Sequence, residues 1–143
     1  MQEVKNSPEE SRPTILFVEE DDDARPILTR ELRKLGYRLL VSADLEDARE
    51  WVSGNGHVLA DLVLINLVGK TPEEAVSVGR ELRDHAKYDE HTPLVVMPEK
   101  VAEGLRGTNV NVSGNDWICN YDDSGQLQTL LGRLTERTRP KRA

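Results

Sequence analysis

Residues 14–37 carry the stretch TILFVEEDDDARPILTRELRKLGY, in which a strand pattern changes directly into a helix pattern. Its first five residues, 14–18, are nearly all apolar and rich in β-formers, as in a strand that is covered on both faces. Five acidic residues follow, and apolar residues then recur at helical spacing from Ile27 to Leu35, just ahead of Gly36. This order predicts one βα unit whose strand lies inside a sheet.

The same alternation of strand and helix patterns continues along the chain. Further strands are predicted at 37–41, 61–65, 93–97 and 117–119, and further helices at 45–52, 71–86 and 126–137. The glycine-rich stretch between residues 98 and 114 has the weakest pattern, and a short helix at 101–105 is the element it allows. The chain therefore presents five strands separated by helical segments.

Five strands that alternate with helices predict the α/β class. Right-handed crossovers between parallel strands place helices on both faces, so we expect a doubly wound five-stranded parallel sheet, (β/α)5. Functional side chains in such folds lie at the carboxyl ends of the strands.

Length and charge define the domain organisation and exclude several classes of protein. The chain has 143 residues, 19 Lys+Arg against 26 Asp+Glu, and a net charge of −7. We predict a disordered leader at 1–13, one domain at 14–136 and a basic tail at 137–143. A uniformly basic nucleic-acid binder is excluded by this charge balance.

Other features indicate the compartment. The single cysteine, Cys119, excludes an internal disulfide. No apolar run approaches the ~20 residues of a membrane span, and the polar, acidic start does not resemble a signal peptide. We therefore expect a cytoplasmic protein without a membrane span.

Polar side chains and a proline stand where the predicted strands end. Glu19 and Glu20 follow the first strand, and Asn66 follows the third. Pro98 follows the fourth strand and Asn120 the fifth. Because the carboxyl ends of parallel strands meet at one edge of a sheet, these residues are expected to converge.

Four segments in this order resemble the receiver domains of bacterial response regulators. The stretch ILFVEEDDDARPILTRELRKLGY resembles their first strand, acidic pocket and first helix, and ADLVLINL resembles the third strand, which ends in the phosphorylated aspartate. TPLVVMPEK and SGNDWICNYDDSGQL resemble the fourth and fifth strands with their turns. The resemblance covers about residues 14–136. It implies the flavodoxin-like (CheY-like) fold, strand order 2-1-3-4-5 and a role in signal transduction within a two-component phosphorelay.

The chain departs from active receivers at the positions that carry their chemistry. Asn66 stands at the acceptor aspartate, Pro98 at the switch Thr or Ser, and Asn120 at the lysine. An amide cannot form an acyl phosphate, and proline has neither a hydroxyl nor a backbone N–H. The resemblance thus implies a degenerate phosphorylation site, a pseudo-receiver without catalytic residues, and no enzyme activity.

The remaining acidic residues leave a metal as an open alternative. Glu19 and Glu20 keep part of the acidic pocket, and carboxylates are the ligands that Mg²⁺ prefers. With the third carboxylate replaced, we expect no cofactor and retain weak Mg²⁺ binding as the alternative. Asp21 to Asp23 are interpreted mainly as a helix start, with Asp22 or Asp23 as the cap.

The resemblance also implies a partner surface on the fourth helix, fifth strand and fifth helix. The residues predicted to form it are Trp117, Ile118, Leu105, Gln126 and Leu130. Trp117 matches the switch aromatic of the family, although a plain packing role explains it equally well. We expect a protein partner in a bacterial signalling pathway, with homodimerisation through the same face as a further expectation. Because the chain ends soon after the last helix, no DNA-binding output domain is expected.

These features together predict a stand-alone pseudo-receiver that acts through phosphorylation-independent protein–protein interaction. Two alternatives stay open. One is a phosphorylation-regulated receiver with an atypical acceptor, and the other is a small-ligand-binding flavodoxin-like module that reuses the degenerate site.

Overall fold

The structure is a computed structural model that describes residues 12–53 and 59–138. Its strands and helices follow one another in the order β1 (Thr14–Glu19), α1 (Ala24–Lys34), β2 (Arg38–Ser42), α2 (Leu45–Ser53), β3 (Leu62–Asn66), α3 (Pro72–His85), β4 (Leu94–Val96), β5 (Asn109–Ser113), β6 (Asp116–Cys119) and α4 (Ser124–Thr138). The predicted leader up to residue 11 and the basic tail from residue 139 lie outside the described residues.

The strands form one sheet in the order β2-β1-β3-β4-β6-β5. The pairs from β2 to β6 are parallel, whereas β5 pairs with β6 in the antiparallel direction. With β6 as the fifth parallel strand, the predicted order 2-1-3-4-5 and the doubly wound α/β fold are confirmed. The antiparallel β5 is an additional edge strand.

Alternate residues of β1 enter two separate apolar cores. Ile15 and Phe17 pack on one face with the leucines of α1 and α4. Leu16 and Val18 pack on the other face with α2 and α3. Because both faces are covered, the strand is apolar at successive positions rather than at every second one.

The helix starts show how local sequence sets the element boundaries. Thr71 and Glu74 form a capping box, with Thr71 Oγ1 accepting from the Glu74 N–H and Glu74 Oε1 accepting from the Thr71 N–H. At α1 the N-cap residue is Asp23, one of the two predicted, but its side chain makes no capping hydrogen bond. Asp21 Oδ1 instead accepts the N–H groups of Asp23 and Ala24 at 2.8 and 3.1 Å. In the described ranges, no helix is both long and apolar enough to cross a bilayer.

The region between β4 and β6 differs most from the prediction. Residues 103–107 form turns, so the short helix expected at 101–105 is absent from this part of the structure, and β5 follows the turns. Gly104 has a φ of +90°, which a right-handed helix does not accommodate. Gly114 and Asn115 then turn the chain between β5 and β6. A two-residue Gly-Asn turn between β-forming segments is a known hairpin signal that the five-strand prediction overlooked.

Candidate functional site

Strand pairing brings the first predicted site residues into direct contact. Glu19 at the end of β1 lies in register with Asn66 at the end of β3. The Asn66 amide donates from Nδ2 to Glu19 Oε2 at 2.6 Å. Pro98, two residues beyond the end of β4, lines the same pocket of about 260 Å³. Three of the five predicted site residues therefore share one concavity.

The walls of this pocket are mainly apolar. They are formed by Ala24, Ile27, Leu28, Met97 and Tyr121. Ile27 is 60% exposed and stands on the protein surface. The sequence had indicated only the polar part of the site, because apolar wall residues share the periodicity of the core.

Glu19 is fully buried. Burial disfavours the charged carboxylate and raises the pKa of Glu19 to about 7, although hydrogen bonds from the Asp21 N–H and the Asn66 amide act in the opposite direction. Both of these donors reach Oε2. Glu19 Oε1 and Asn66 Oδ1 accept no hydrogen bond from the described residues. The site thus contains two buried oxygen acceptors without a donor.

The Glu20 carboxylate binds backbone N–H groups outside this pocket. Its Oε1 accepts the N–H of Val68 at 2.9 Å, and its Oε2 accepts the N–H of Leu45 at 3.3 Å. The Glu20 carboxylate therefore connects the loop after β3 to the start of α2. It does not line the pocket around Glu19.

Glu99 is a contributor that sequence reasoning missed. Its Oε1 accepts the N–H of Gly69 at 3.0 Å, so a second carboxylate holds the loop after β3. The position of Glu99 just after β4 was the available signal, since strand-end residues converge in this fold. Glu20 and Glu99 together bind successive parts of one loop through its backbone.

Asn120 supports the hairpin instead of lining the pocket. Its side-chain Nδ2 donates to Thr108 Oγ1 at 3.1 Å, and its main-chain carbonyl oxygen accepts the Gly107 N–H at 2.8 Å. Gln126 adds a bond from Nε2 to Asn109 Oδ1 at 2.8 Å. These hydrogen bonds of Asn120 and Gln126 connect the beginning of β5 to the end of β6 and to α4.

The residues predicted for a partner surface do not share one face. Leu130 is fully buried in the core, so it is unable to contact a partner directly. Ile118 packs towards the core beneath α2 and α3, whereas its neighbour Trp117 packs towards the other core. Successive residues of a strand point to opposite faces, which separates the two side chains. Leu105 is 44% exposed and remains available at the surface.

The chemistry of a magnesium site is only partly present. Within 12–53 and 59–138 no group of three or more His, Cys, Asp or Glu side chains is arranged to hold a metal ion. Glu20 uses both oxygens for backbone amides, and Asn66 supplies a neutral amide oxygen. The residues present do not fit a receiver-type magnesium site, and we derive no step that involves one.

No protein-family model matches the chain, and no curated protein matches it. Solved structures match it by fold. A response regulator receiver protein from Sinorhizobium medicae is 18% identical, with a TM-score of 0.67 over 90% of this chain and 98% of that chain. The receiver domain of a sensor histidine kinase from Pseudomonas aeruginosa, described with a magnesium ion in its active-site cleft, is 22% identical, with a TM-score of 0.56 over 90% and 98%.

A chemotaxis protein, CheY4 of Vibrio cholerae, has a TM-score of 0.60 at 17% identity, over 87% of this chain and 99% of that chain. Each of these three likenesses extends over nearly the whole of the compared chain. At this level of identity they establish architecture. The chain has the flavodoxin-like α/β fold of receiver domains.

Proposed function

We propose that this protein is a receiver-like signalling protein that acts through protein–protein contacts without being phosphorylated. The observation that carries the proposal is the hydrogen bond from Asn66 Nδ2 to Glu19 Oε2. It places an uncharged amide at the end of β3, where the receiver resemblance would require an acceptor carboxylate. We further propose that the protein works in the cytoplasm, without enzyme activity and without a cofactor.

The surroundings of Asn66 support this proposal. Phosphoryl transfer to a side chain needs a nucleophilic oxygen and a positive group that stabilises the developing charge. Asn66 lacks the first, and neither Pro98 nor Asn120 supplies the second. Arg25 is the nearby cation, but its Nη1 donates to the main-chain oxygen of Glu19 at 2.9 Å and its Nη2 binds Asp22.

The loop after β3 supports a fixed shape. Glu20 and Glu99 hold the N–H groups of Val68 and Gly69 from two sides. Both hydrogen bonds are exposed to solvent, so each contributes less than the about 1.5–3 kcal/mol typical of hydrogen bonds to charged groups. A loop held in this way needs no added phosphoryl group or metal to keep one conformation, which suits signalling by a constant surface.

The partner in this proposal is a protein of a bacterial signalling pathway. The strongest candidate for the contact is the surface at the open end of the β5–β6 hairpin, where β5 begins and β6 ends. Here the fold departs from a plain alternation of strands and helices. It includes the exposed Leu105 and the half-buried Trp117, whose indole Nε1 has no acceptor among the described residues. Tryptophan is enriched among residues that dominate binding energy.

Incubation with acetyl phosphate and Mg²⁺, followed by intact mass measurement, tests the proposal. We expect no gain in mass, because the acceptor position carries an amide. The matched positive control is the triple variant Asn66→Asp, Pro98→Thr, Asn120→Lys, which restores the residue types of an active receiver. A stoichiometric gain of one phosphoryl group by the unaltered chain would overturn the proposal and favour an atypical acceptor.

A second candidate function is binding of a small ligand in the pocket. It is favoured by the two donor-free acceptors, Glu19 Oε1 and Asn66 Oδ1, beside mainly apolar walls. A compact molecule with an N–H donor on an apolar body would match this arrangement. Thermal shift against nucleotides, metabolites and small amines tests it, since a ligand at 100 times its Kd stabilises by about 2.7 kcal/mol. The Glu19→Gln variant should lose the shift given by such a ligand.

A further inference from the structure

β5 is an open edge of the sheet. It pairs with β6 on one side and, within the residues that the structure describes, has no strand on the other. An unpaired edge presents backbone N–H and C=O groups that can bind another strand, and proteins usually protect such edges with charged residues or proline. From Gly107 to Asn115 the chain has neither. The side chains of this strand therefore do little to discourage pairing.

The backbone of β5 has its free groups at defined positions. The N–H of Asn120 donates to the carbonyl of Thr108 at 2.9 Å, so this pair belongs to the hydrogen-bonded class. Antiparallel pairs alternate between the two classes. In the register of β5 with β6, the N–H and C=O groups of Asn109 and Asn111 consequently point away from β6.

The side chains of β5 leave this edge accessible and apolar. Val110 and Val112 are each 41% exposed. The Asn111 side chain folds back onto the hairpin, where Nδ2 donates to the carbonyl oxygens of Gly114 and Asp116 at 3.1 and 3.2 Å. It therefore does not occupy the outward-facing backbone groups of its own residue.

The strand is also complementary to itself. Its central sequence, Val110-Asn111-Val112, is the same in both directions. In an antiparallel pair of two copies centred on Asn111, Val110 of one copy faces Val112 of the other, and the pair repeats about a twofold axis. The chain has a net charge of −7, so two copies repel over much of their surface, whereas the stretch 107–115 is uncharged.

We propose that β5 binds β5 of a second copy in antiparallel pairing centred on Asn111, which continues the sheet across a homodimer. The register shift between Asn111 and Ser113 shortens the regular edge, so we expect a weak, concentration-dependent dimer. The dimer goes beyond the proposed function. Its test measures the oligomeric state, whereas the acetyl phosphate experiment measures a gain in mass, so the two can fail independently.

Sedimentation velocity of the full chain, from low micromolar to near-millimolar concentration, measures the dimer directly. We expect a monomer–dimer equilibrium whose Kd rises by about tenfold or more in Val110→Lys, because each lysine replaces an apolar contact with Val112 of the other copy and the two lysines become diagonal neighbours on one face. Val68→Lys is the matched control, since Val68 is 48% exposed on a distant loop. Circular dichroism of each variant shows whether it is folded.

Cross-linking reports the register even if a lysine variant fails to fold. An Asn111→Cys variant should form an intermolecular disulfide on mild oxidation, and Val68→Cys should not. Cys119 does not interfere, because it is fully buried and burial raises its pKa to about 11. A chain that is monomeric throughout the concentration range, or a dimer unaffected by Val110→Lys, overturns the proposal. Pairing of the strand only with a different protein overturns it as well.

Discussion

Glu19 and Asp116 are both buried carboxylates, yet their partners differ completely. Asp116, at the start of β6, accepts Arg83 Nη1 on Oδ1 at 2.6 Å and Arg80 Nε on Oδ2 at 2.7 Å. The carboxylate of Glu19, at the end of β1, accepts only neutral N–H donors from the described residues, and only on one of its two oxygens. One carboxylate is neutralised by two guanidinium groups, and the other remains incompletely satisfied.

The comparison shows which end of the sheet is built for stability. The Asp116 cluster connects β6 to α3, and Arg80 also donates to Ser113 Oγ at the end of β5. Glu19 lies at the carboxyl ends of the parallel strands, where ligands bind in doubly wound folds. An incompletely satisfied charge is a cost to folding, so its presence there is consistent with a functional site.

The largest effect is expected for Asp116→Asn. Removing one partner of a buried ion pair leaves the other charge uncompensated, which typically costs about 3–5 kcal/mol. Arg83 is the residue left without its counter-charge, since it is buried. Urea denaturation measures the loss. Arg80→Gln is the control and should cost less, because the Arg80 side chain is 41% exposed. A loss below about 1 kcal/mol in Asp116→Asn would contradict the structural role given to this cluster.

Asn66→Asp should have the next largest effect. It adds a carboxylate to the site, whereas Asp116→Asn removes one from an ion pair. A second carboxylate beside Glu19 adds a repulsion of about 3 kcal/mol at 5 Å and an effective dielectric near 20. We expect lower stability in urea at pH 7.5, with partial recovery in Mg²⁺, and no efficient phosphorylation by acetyl phosphate. Asn66→Ala is the uncharged control. Phosphorylation of the single variant as readily as an ordinary receiver would show that Pro98 and Asn120 do not have the roles assigned to them.

Glu19→Gln should make stability less dependent on pH. The folded-state pKa of Glu19, about 7, lies above the ordinary glutamate value of 4.5, so the folded chain holds this proton more tightly than the unfolded chain. The resulting stabilisation is complete below the unfolded pKa and is lost as the pH rises through about 7, by at most about 3 kcal/mol. The advantage of Glu19→Gln over the unaltered chain should therefore grow between pH 5 and pH 8.

Urea denaturation across that range measures this growth. The matched control is Glu20→Gln, which removes the neighbouring carboxylate that holds backbone amides. An equal growth in both variants would show that the burial of Glu19 is not its cause.

The smallest effect is expected for Thr71→Ala, which removes the capping box of α3. Loss of such a cap typically costs about 1 kcal/mol. Thermal or urea denaturation measures it, and Ser77→Ala on the exposed side of the same helix is the control. A cost as large as that of Asp116→Asn would mean that local capping, and not the buried ion pairs, dominates the stability of this region.

Much of the fold could be predicted because its signals are local. Each βα unit has its own apolar strand, cap and helix period, and the alternation of strands and helices predicts a parallel sheet. The strand order 2-1-3-4-5 was implied by the resemblance to receivers. The contact between Glu19 and Asn66 also follows, since adjacent parallel strands place their last residues side by side. The roles of Glu20 and Glu99 could not be predicted in this way, because they depend on where the N–H groups of a distant loop come to lie.

The hairpin was missed for a different reason. The valines, asparagines and Gly-Asn turn between residues 109 and 115 carry a recognisable strand-and-turn signal, but the expected alternation of strands and helices favoured a helix upstream. The prediction of one shared partner surface was wrong at Ile118 and Leu130, because the register of a strand or helix decides which face each residue occupies. Register requires the packed structure.

The β5–β6 hairpin also has a consequence for the order in which the chain folds. Its paired residues are separated by at most ten positions, as in Asn109 with Cys119, whereas the bond between Glu19 and Asn66 closes 47 residues. Hairpins form in roughly 1–10 μs, and non-local parallel pairing is slower. During refolding the hairpin therefore precedes the strand-end pocket. Refolding chains expose the β5 edge before the site exists, so their concentration during refolding decides whether early encounters lead to ordered pairs or to aggregates.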